Sequence, residues 1–245
     1  MRFIRSEPKG FWREAQAREA DAWRRMGRAG EDTLARRGAA LDAWLGFWCR
    51  SDGSPRPRRV LEIGGAGLPA APFLEGFDER HALDPLMGEY EKLFGRADRG
   101  VLAREGRAEE LPYGDGEFDA VVMLNVLDHV EDPDRVLREI RRVLRPRSGV
   151  AFLSCDTYAP LWLALRAVRV ALRGKRNNDL LHPHHFTERG LVRRIASVFP
   201  LREVRCCYGD PLAGEHSSRT VYPLRGLRQR LQREARVYVV AGGTD

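Results

Sequence analysis

Five short apolar runs alternate with helical or turn-forming sequence between residues 60 and 155. The runs are VLEI, RHALD, GVLAREG, FDAVVML and GVAFLSC. Strands that are apolar on both faces and separated by helices are typical of a parallel sheet covered on both sides. Parallel neighbours also need a crossover connection, which is almost always right-handed. The alternation therefore predicts an α/β fold with a doubly wound, mostly parallel sheet.

The rest of the chain does not follow this alternation. Two later strand-like runs, LREVRCCY and RVYVVAGG, have no full helical crossover between them, which predicts a C-terminal antiparallel pair and a seven-stranded sheet. Tryptophan-rich helical patterns predict an N-terminal cap or lid over residues 1–52, ahead of a main domain over residues 53–245. We also expect a helix over residues 68–77 and insertions at about residues 157–186, as a substrate lid, and 209–235.

Composition argues against a cysteine-based metal site, an exported protein and a membrane-spanning segment. The chain carries 42 Lys+Arg and 35 Asp+Glu, and its net charge of +7 is spread along helices, which is typical of a solvated surface. The four cysteines have no metal-ligand spacing and the N-terminus lacks the apolar core of a signal peptide, so we expect a cytoplasmic protein with reduced thiols. The longest apolar segment contains Arg166 and Arg169 and is too short to span a bilayer.

The first apolar run ends in an acid and then enters a turn of small residues, VLEIGGAGLP. Glycine is favoured where φ is positive or where another group approaches the backbone closely. A carboxylate beside such a turn is well placed to hold a polar ligand. The turn is therefore a candidate cofactor loop, although many similar turns bind nothing.

Several motifs together resemble those of class I S-adenosylmethionine-dependent methyltransferases, over roughly residues 60–199. They are the glycine-rich turn VLEIGGAGLP, the strand-end acid of HALDP, the segment GRAEELPYGDGEFD and the segment VVMLNVLDHVEDPDRVLREIRRVLRPRSG. The last two are the most specific, because length, spacing and residue type match together. The resemblance implies a Rossmann-like domain, a seven-stranded sheet with an antiparallel C-terminal strand, and S-adenosylmethionine as the cofactor.

The resemblance also implies a set of cofactor-binding residues. It places the methionine part of the cofactor at the first turn, the ribose at the strand-end acid, the adenine at the third motif and the sulfonium at the end of the fourth strand. The implied residues are Glu62, Gly64, Gly65, Gly67, Asp84, Pro85, Ala108, Glu109, Leu124 and Asn125. Two features depart from the family pattern: the glycines after the acid are shifted, and Arg107 stands where an acid often binds the adenine amine.

A methyl acceptor that carries an acidic proton needs a base near the methyl group. His129 follows the fourth strand and would lie at the carboxyl edge of the sheet, where Asp128 could orient it. An equally simple interpretation is that this pair only shapes the entry to the next helix. His182 and His184, in the segment HPHHFT, are alternative bases. We expect no metal there, since no acid or cysteine stands beside these histidines at a ligand spacing.

The resemblance implies a small-molecule acceptor in a biosynthetic pathway. The variable segments combine aromatic and arginine residues, so we expect this acceptor to be partly apolar and to carry an acidic or phosphate group. Nucleic acid is not expected, since no RNA-binding module is visible. A non-catalytic scaffold, an RNA methyltransferase, peripheral membrane contact through residues 161–173 and a homodimer remain open. A nicotinamide-dependent oxidoreductase is disfavoured because Pro69 occupies the third glycine position of its fingerprint.

Overall fold

The computed structural model describes residues 9–26, 31–49, 58–65, 69–95, 100–173, 182–207 and 235–242. The helices are α1 (Lys9–Met26), α2 (Glu31–Trp48), α3 (Met87–Phe94), α4 (Pro133–Val143), α5 (Pro160–Arg173) and α6 (Glu188–Ala196). The strands are β1 (Arg59–Ile63), β2 (Glu79–Asp84), β3 (Val101–Glu105), β4 (Ala120–Leu124), β5 (Val150–Thr157), β6 (Leu201–Cys207) and β7 (Ala235–Gly242). Gly67 and nearly all of the predicted insertion at 209–235 lie outside the described residues.

The strands form one seven-stranded sheet in the order β3-β2-β1-β4-β5-β7-β6. All neighbours from β3 to β5 are parallel, whereas β7 runs antiparallel to both β5 and β6. This arrangement confirms the predicted doubly wound sheet and its antiparallel C-terminal strand. The strand order reverses between β1 and β4, and ligands of open α/β sheets bind outside the carboxyl ends of the strands at such a switch point.

Each face of the sheet has its own apolar core, because successive residues of a strand point to opposite faces. Val60 of β1 packs in one core with Leu41 and Leu45 of α2. Leu61 lies in the other core together with Leu137 of α4. Helix α2 therefore covers a face of the main sheet. The boundary of the N-terminal cap at residue 52 remains a prediction.

Helix α4 fixes the end of the loop that follows β4. The Asp132 carboxylate accepts hydrogen bonds from the backbone N–H groups of Asp134 and Arg135, at 3.0 and 3.1 Å, and Pro133 occupies the first helical turn. Both features stabilise a helix start. The loop of residues 125–132 is thereby held between β4 and α4.

The predicted helix over residues 68–77 is wrong, because the described part of this segment, residues 69–77, contains only the short 3₁₀ turn Ala71–Phe73. Side chains from elsewhere bind both ends of the segment. Glu62 accepts hydrogen bonds from backbone N–H groups at its start, and Asp42 of α2 accepts one from Gly76. The residues between these two anchors are too few for a helix of several turns.

Helix α5 presents an apolar stripe to the surface. Leu161, Leu165, Val168 and Leu172 are between 57% and 80% exposed. They recur every three or four residues and so share one face of the helix. Within the described part of the chain, no helix combines the length and the hydropathy needed to cross a membrane.

Candidate active site

The chain leaves β1 through a sharp turn at Gly64. Its φ of +75° is a left-handed conformation that favours glycine, and a Cβ there would lie 2.4 Å from Cγ2 of Val126. A Cβ at Gly65 would lie 2.4 Å from the carboxylate carbon of Glu62. Both glycines are therefore required by the close approach of other side chains, one of them from the loop after β4.

Glu62 is buried beneath this turn and binds the protein backbone. Its carboxylate accepts hydrogen bonds from the N–H groups of Ala70, at 2.8 and 3.0 Å, and of Ala71, at 2.7 Å. Burial raises the pKa of Glu62, and the amide hydrogen bonds act in the opposite direction. The predicted cofactor-binding acid thus anchors Ala70 and Ala71 through their backbone amides, and its contact with the cofactor stays a prediction.

Asp84 is buried at the carboxyl end of β2. Its Oδ1 accepts a hydrogen bond from the Leu86 N–H at 2.8 Å, across the turn that contains Pro85. Tyr90 of α3 lies close by, and its pKa is raised by burial and by the charges of Asp84 and Glu19. An acid at this strand end is the residue that binds ribose hydroxyls in dinucleotide folds.

Ala108 and Glu109 are buried in the loop after β3. Oε1 of Glu109 accepts hydrogen bonds from the backbone N–H groups of Glu131 and Asp132, at 2.7 and 3.3 Å. Arg107 pairs with the Glu131 carboxylate at 2.6 Å. The Glu109 carboxylate therefore fastens the loop after β4 to the loop after β3, and its contact with adenine stays a prediction.

Asn125 joins the carboxyl ends of β4 and β5. It follows Leu124 and has a φ of 57°, in the left-handed region where asparagine is enriched. Its backbone N–H donates to the Ser154 carbonyl oxygen at 2.8 Å, and its Oδ1 accepts a hydrogen bond from the Asp156 N–H at 3.1 Å. Both interactions hold this residue at the switch point.

These residues fit the nucleoside cofactor that the sequence resemblance implies. Gly64 gives the tight turn that such a cofactor requires after β1, and Asp84 gives a buried carboxylate at the neighbouring strand end. Asn125 lies on the opposite side of the crevice, at the end of β4.

Beyond Asn125, the loop after β4 leads into a cluster of Asp128, His129 and His182. Nε2 of His129 lies 3.8 Å from Oδ1 of Asp128, and Nε2 of His182 lies 3.8 Å from Oδ2. The centroids of the two imidazole rings are 4.5 Å apart. Two histidines that the sequence predicts as alternative bases therefore lie side by side around one carboxylate. No spacing in the sequence indicates this, because His182 comes from the segment after α5.

Asp128 is completely buried. Among the described residues, neither of its carboxylate oxygens accepts a hydrogen bond from a nitrogen or oxygen donor. The Cys155 thiol lies beside it, and burial and the Asp128 charge raise the pKa of that thiol. Burying a carboxylate is costly unless hydrogen bonds or cations compensate the charge. The sequence suggested Asp128 as a residue that orients His129, but not that it would also face His182.

His184 is not part of this cluster. Its Nε2 lies 3.3 Å from the Glu131 carbonyl oxygen, and its backbone N–H donates to the Asp128 carbonyl oxygen at 3.1 Å. Burial lowers the pKa of His184. The structure therefore directs this predicted base towards the backbone of the loop after β4.

Aromatic side chains extend the site away from the cluster. The rings of Tyr158 and Trp162 stack with centroids 4.7 Å apart. His185 lies 5.2 Å from the Tyr158 ring and 6.5 Å from the His182 ring, and Arg166 lies 5.8 Å above the Trp162 ring. These rings form an aromatic surface that leads from the histidines to α5.

Helix α1 reaches the cluster from the N-terminal side. Oε2 of Glu19 lies 3.6 Å from Nδ1 of His129, and Oε1 accepts a hydrogen bond from the Trp23 indole N–H at 2.8 Å. Arg24 contacts Glu89 of α3 at 3.0 Å. Helix α1 therefore covers the carboxyl edge between α3 and His129. Sequence reasoning missed Glu19, because one acid among many on a charged helix carries no signal.

The central part of the chain is similar to known proteins. The sequence profile of a family described as a methyltransferase domain matches residues 61–152. An uncharacterized methyltransferase of Mycobacterium sp. (strain KMS) is 32% identical over 144 residues, which cover 58% of this chain and 53% of that protein. The ubiquinone biosynthesis O-methyltransferase of Azorhizobium caulinodans is 29% identical over 164 residues, which cover 64% of each. The chain thus spans between half and two thirds of these relatives' lengths.

A solved structure of a SAM-dependent methyltransferase from Thermotoga maritima is also similar. The TM-score is 0.52 and the identity 21%, over 96% of this chain and 98% of that chain. At this identity the likeness shows the fold alone. It confirms the class I methyltransferase fold that the sequence predicts.

Proposed function

We propose that the chain, whose residues 61–152 match the methyltransferase domain family, transfers a methyl group from S-adenosylmethionine to a small-molecule acceptor. The observation that carries this proposal is the cluster of Asp128, His129 and His182 beside the switch-point crevice. In the reaction a sulfur–methyl bond breaks, a bond between the acceptor and the methyl group forms, and the acceptor loses a proton. The products are S-adenosylhomocysteine and the methylated acceptor.

S-adenosylmethionine supplies an electrophilic methyl group when it is bound. We assign the ribose to Asp84, the methionine part to the turn at Gly64 and the sulfonium to the end of β4 at Asn125, as the fold geometry supports. Ala108 and Glu109 are the proposed neighbours of the adenine. Holding the methyl group and the nucleophile in line supplies much of the rate enhancement in such a displacement.

We assign activation of the acceptor to the cluster. His129 and His182 are the groups that take up the acceptor proton, and Asp128 lies within 3.8 Å of an Nε2 on each ring. His184 remains the third predicted base and ranks behind them, because its Nε2 faces a backbone carbonyl oxygen.

We propose a phenol or catechol with an apolar substituent as the acceptor. The stacked rings of Tyr158 and Trp162 suit an aromatic molecule, and Arg166 suits an acidic group on it. The exposed apolar stripe of α5 suits the substituent, or a membrane surface from which a lipophilic acceptor is drawn. The similarity to a ubiquinone biosynthesis O-methyltransferase supports a hydroxyl nucleophile.

The first test is calorimetric titration of S-adenosylmethionine and S-adenosylhomocysteine into the purified protein. We expect micromolar binding, and Asp84→Ala should weaken it by about tenfold, or about 1.4 kcal/mol, because ribose hydrogen bonds are lost. Glu79→Ala, at the amino end of the same strand, is the matched control and should bind like the wild type. An absence of binding by the wild type would refute methyl transfer and favour the non-catalytic scaffold.

The second test is release of S-adenosylhomocysteine when tert-butylcatechol is offered as the acceptor. Turnover that depends on the catechol supports the acceptor class. Cofactor binding without turnover on any phenol or catechol would contradict that class and leave methyl transfer standing.

A further inference from the structure

We propose that Asp128, His129 and His182 bind a first-row divalent metal ion, of which Zn²⁺ is the best match. Their ligand atoms all lie within 4.8 Å of one another, although the residues come from two segments far apart in the chain. The role of the ion in catalysis rests on the proposed methyl transfer, whereas its binding does not.

The distances in the cluster match a metal site better than a hydrogen-bonded one. Each Nε2 lies 3.8 Å from an oxygen of Asp128, which is longer than an ordinary hydrogen bond of about 2.7–3.2 Å. Two ligand atoms of a tetrahedral zinc ion, each about 2.0–2.1 Å from the metal, are separated by about 3.4 Å. The two separations from Asp128 thus exceed the tetrahedral spacing by about 0.4 Å, and all three ligand atoms lie within 4.8 Å of one another, so a contraction of the cluster would bring them to bonding distance.

The burial of Asp128 is a second, independent observation that favours a cation beside its carboxylate. Its carboxylate is 0% exposed and, within the described part of the chain, receives no hydrogen bond from a nitrogen or oxygen donor. Buried charges in proteins are paired or coordinate metals. A divalent ion between Asp128 and the two imidazoles would compensate the charge.

The donor set selects the class of metal. Two imidazoles and one carboxylate suit zinc and the neighbouring first-row metals, whereas magnesium and calcium prefer oxygen ligands. Three protein ligands also leave one coordination position open, as in catalytic zinc sites. The cluster therefore resembles a catalytic centre more closely than a closed structural site.

Glu19 completes this arrangement from helix α1. The Nε2 atom of His129 faces Asp128, and its Nδ1 lies 3.6 Å from Oε2 of Glu19. Metal-binding histidines commonly donate their second ring N–H to a carboxylate, which fixes the tautomer and the ring orientation. At 3.6 Å this pair is also longer than a hydrogen bond, and the contraction that brings the ligands to the ion would let Glu19 orient His129 in this way.

The open coordination position would face the acceptor. A hydroxyl oxygen bound there loses its proton to solvent more readily, because the ion stabilises the oxyanion. The oxyanion then takes the methyl group as the sulfur–methyl bond breaks. In the metal-loaded protein the two histidines are ligands, so the ion activates the acceptor in their place.

The sequence argument against a metal was that no acid stands beside the histidines of HPHHFT at a ligand spacing. The fold supplies Asp128 from the loop after β4, and it selects His182 from that segment. His184, two residues later, is directed to the Glu131 carbonyl oxygen and offers a matched control.

The test is titration of Co²⁺ into the metal-stripped full chain, without cofactor, followed by visible absorption. We expect absorption bands that saturate at one equivalent, and Zn²⁺ should displace the ion and abolish them. Asp128→Asn and His182→Gln should weaken Co²⁺ binding by about a hundredfold or more, and Glu19→Gln by about tenfold, as expected for ligands and for a supporting carboxylate. His184→Gln should bind Co²⁺ like the wild type.

Two results would overturn the site. One is a wild type that shows no saturable Co²⁺ bands, and the other is binding that survives in both Asp128→Asn and His182→Gln. Circular dichroism of each variant shows that it is folded, and the two ligand variants give independent readings. Calorimetry with S-adenosylhomocysteine on the same metal-stripped protein separates the proposals: cofactor binding without Co²⁺ binding refutes the metal site alone, and Co²⁺ binding without cofactor binding refutes methyl transfer alone.

Discussion

Two buried carboxylates stand at the carboxyl edge of the sheet, on either side of the switch point, and their surroundings differ. Glu62, on β1, is 1% exposed, and its oxygens accept hydrogen bonds from the backbone N–H groups of Ala70 and Ala71. Asp128, after β4, is 0% exposed, and two imidazole nitrogens lie 3.8 Å from its oxygens. The first carboxylate is bound by the backbone, and the second faces two imidazole rings.

This difference distinguishes Glu62, whose hydrogen bonds hold the backbone, from Asp128, whose oxygens face groups that can act in a reaction. Backbone amides carry a fixed dipole and do not titrate, so the partners of Glu62 keep their charge at any pH. Imidazoles gain and lose protons near neutral pH and bind metals. A buried charged group that lowers stability and holds no part of the structure in place is often found at a functional site.

The largest expected effect is on turnover at Asp128. Asp128→Asn keeps the shape and removes the charge, so release of S-adenosylhomocysteine with tert-butylcatechol should fall by roughly 10²–10⁴-fold. Urea unfolding of the metal-free variant should show a stability equal to or above that of the wild type, because an amide costs less to bury than a charge. A variant that loses stability would place Asp128 with Glu62 as a structural acid.

The next effect is on stability at Glu62. Glu62→Met keeps the length of the side chain and removes both acceptor oxygens, which leaves the buried amides of Ala70 and Ala71 without their acceptor. The free energy of unfolding in urea should fall by about 2–5 kcal/mol. Glu79→Gln, on the half-buried amino end of β2, should change it far less. An equal loss of unfolding free energy in both variants would show that the Glu62 hydrogen bonds contribute no more to stability than the contacts of Glu79.

A smaller effect is expected at the turn that Glu62 supports. Gly64→Ala places a Cβ at a φ of +75° and 2.4 Å from Cγ2 of Val126, so we expect a loss of roughly 1–3 kcal/mol in thermal or urea unfolding. Gly46, in helix α2, is the matched control, since a Cβ there would meet nothing within 4 Å. Gly46→Ala should raise stability by about 0.5–1 kcal/mol. Equal effects of the same sign would show that the turn is not constrained.

The smallest effect is a pH dependence of the gap in stability between the wild type and Glu62→Met. Burial raises the pKa of Glu62 above its value in the unfolded chain, so its contribution is complete below the unfolded pKa of about 4.3. As the pH rises through the folded pKa, the unfolded state releases the proton more readily and the contribution declines. The gap measured by urea unfolding should therefore narrow from pH 4 towards neutral pH. A gap that widens would mean that the amide hydrogen bonds dominate the pKa.

The sheet and the first-turn glycines could be predicted from sequence because their signals are local. Apolar runs, the acid at Asp84 and the proline at Pro133 each determine structure within a few residues. The pairing of Asp128 with His182 could not be predicted, because it depends on how the segment after α5 returns to the sheet. The helix expected around Ala71 failed for a similar reason, since distant side chains bind the ends of that segment.

The position of β7 has a consequence for how the chain folds during synthesis. This strand comes last among the described residues, yet it lies between β5 and β6 and pairs with both. While the ribosome has not yet released residues 235–242, β5 and β6 each present an unpaired edge that can pair with another chain. The nascent protein therefore carries an aggregation risk at these two edges until β7 emerges and fills the gap between them.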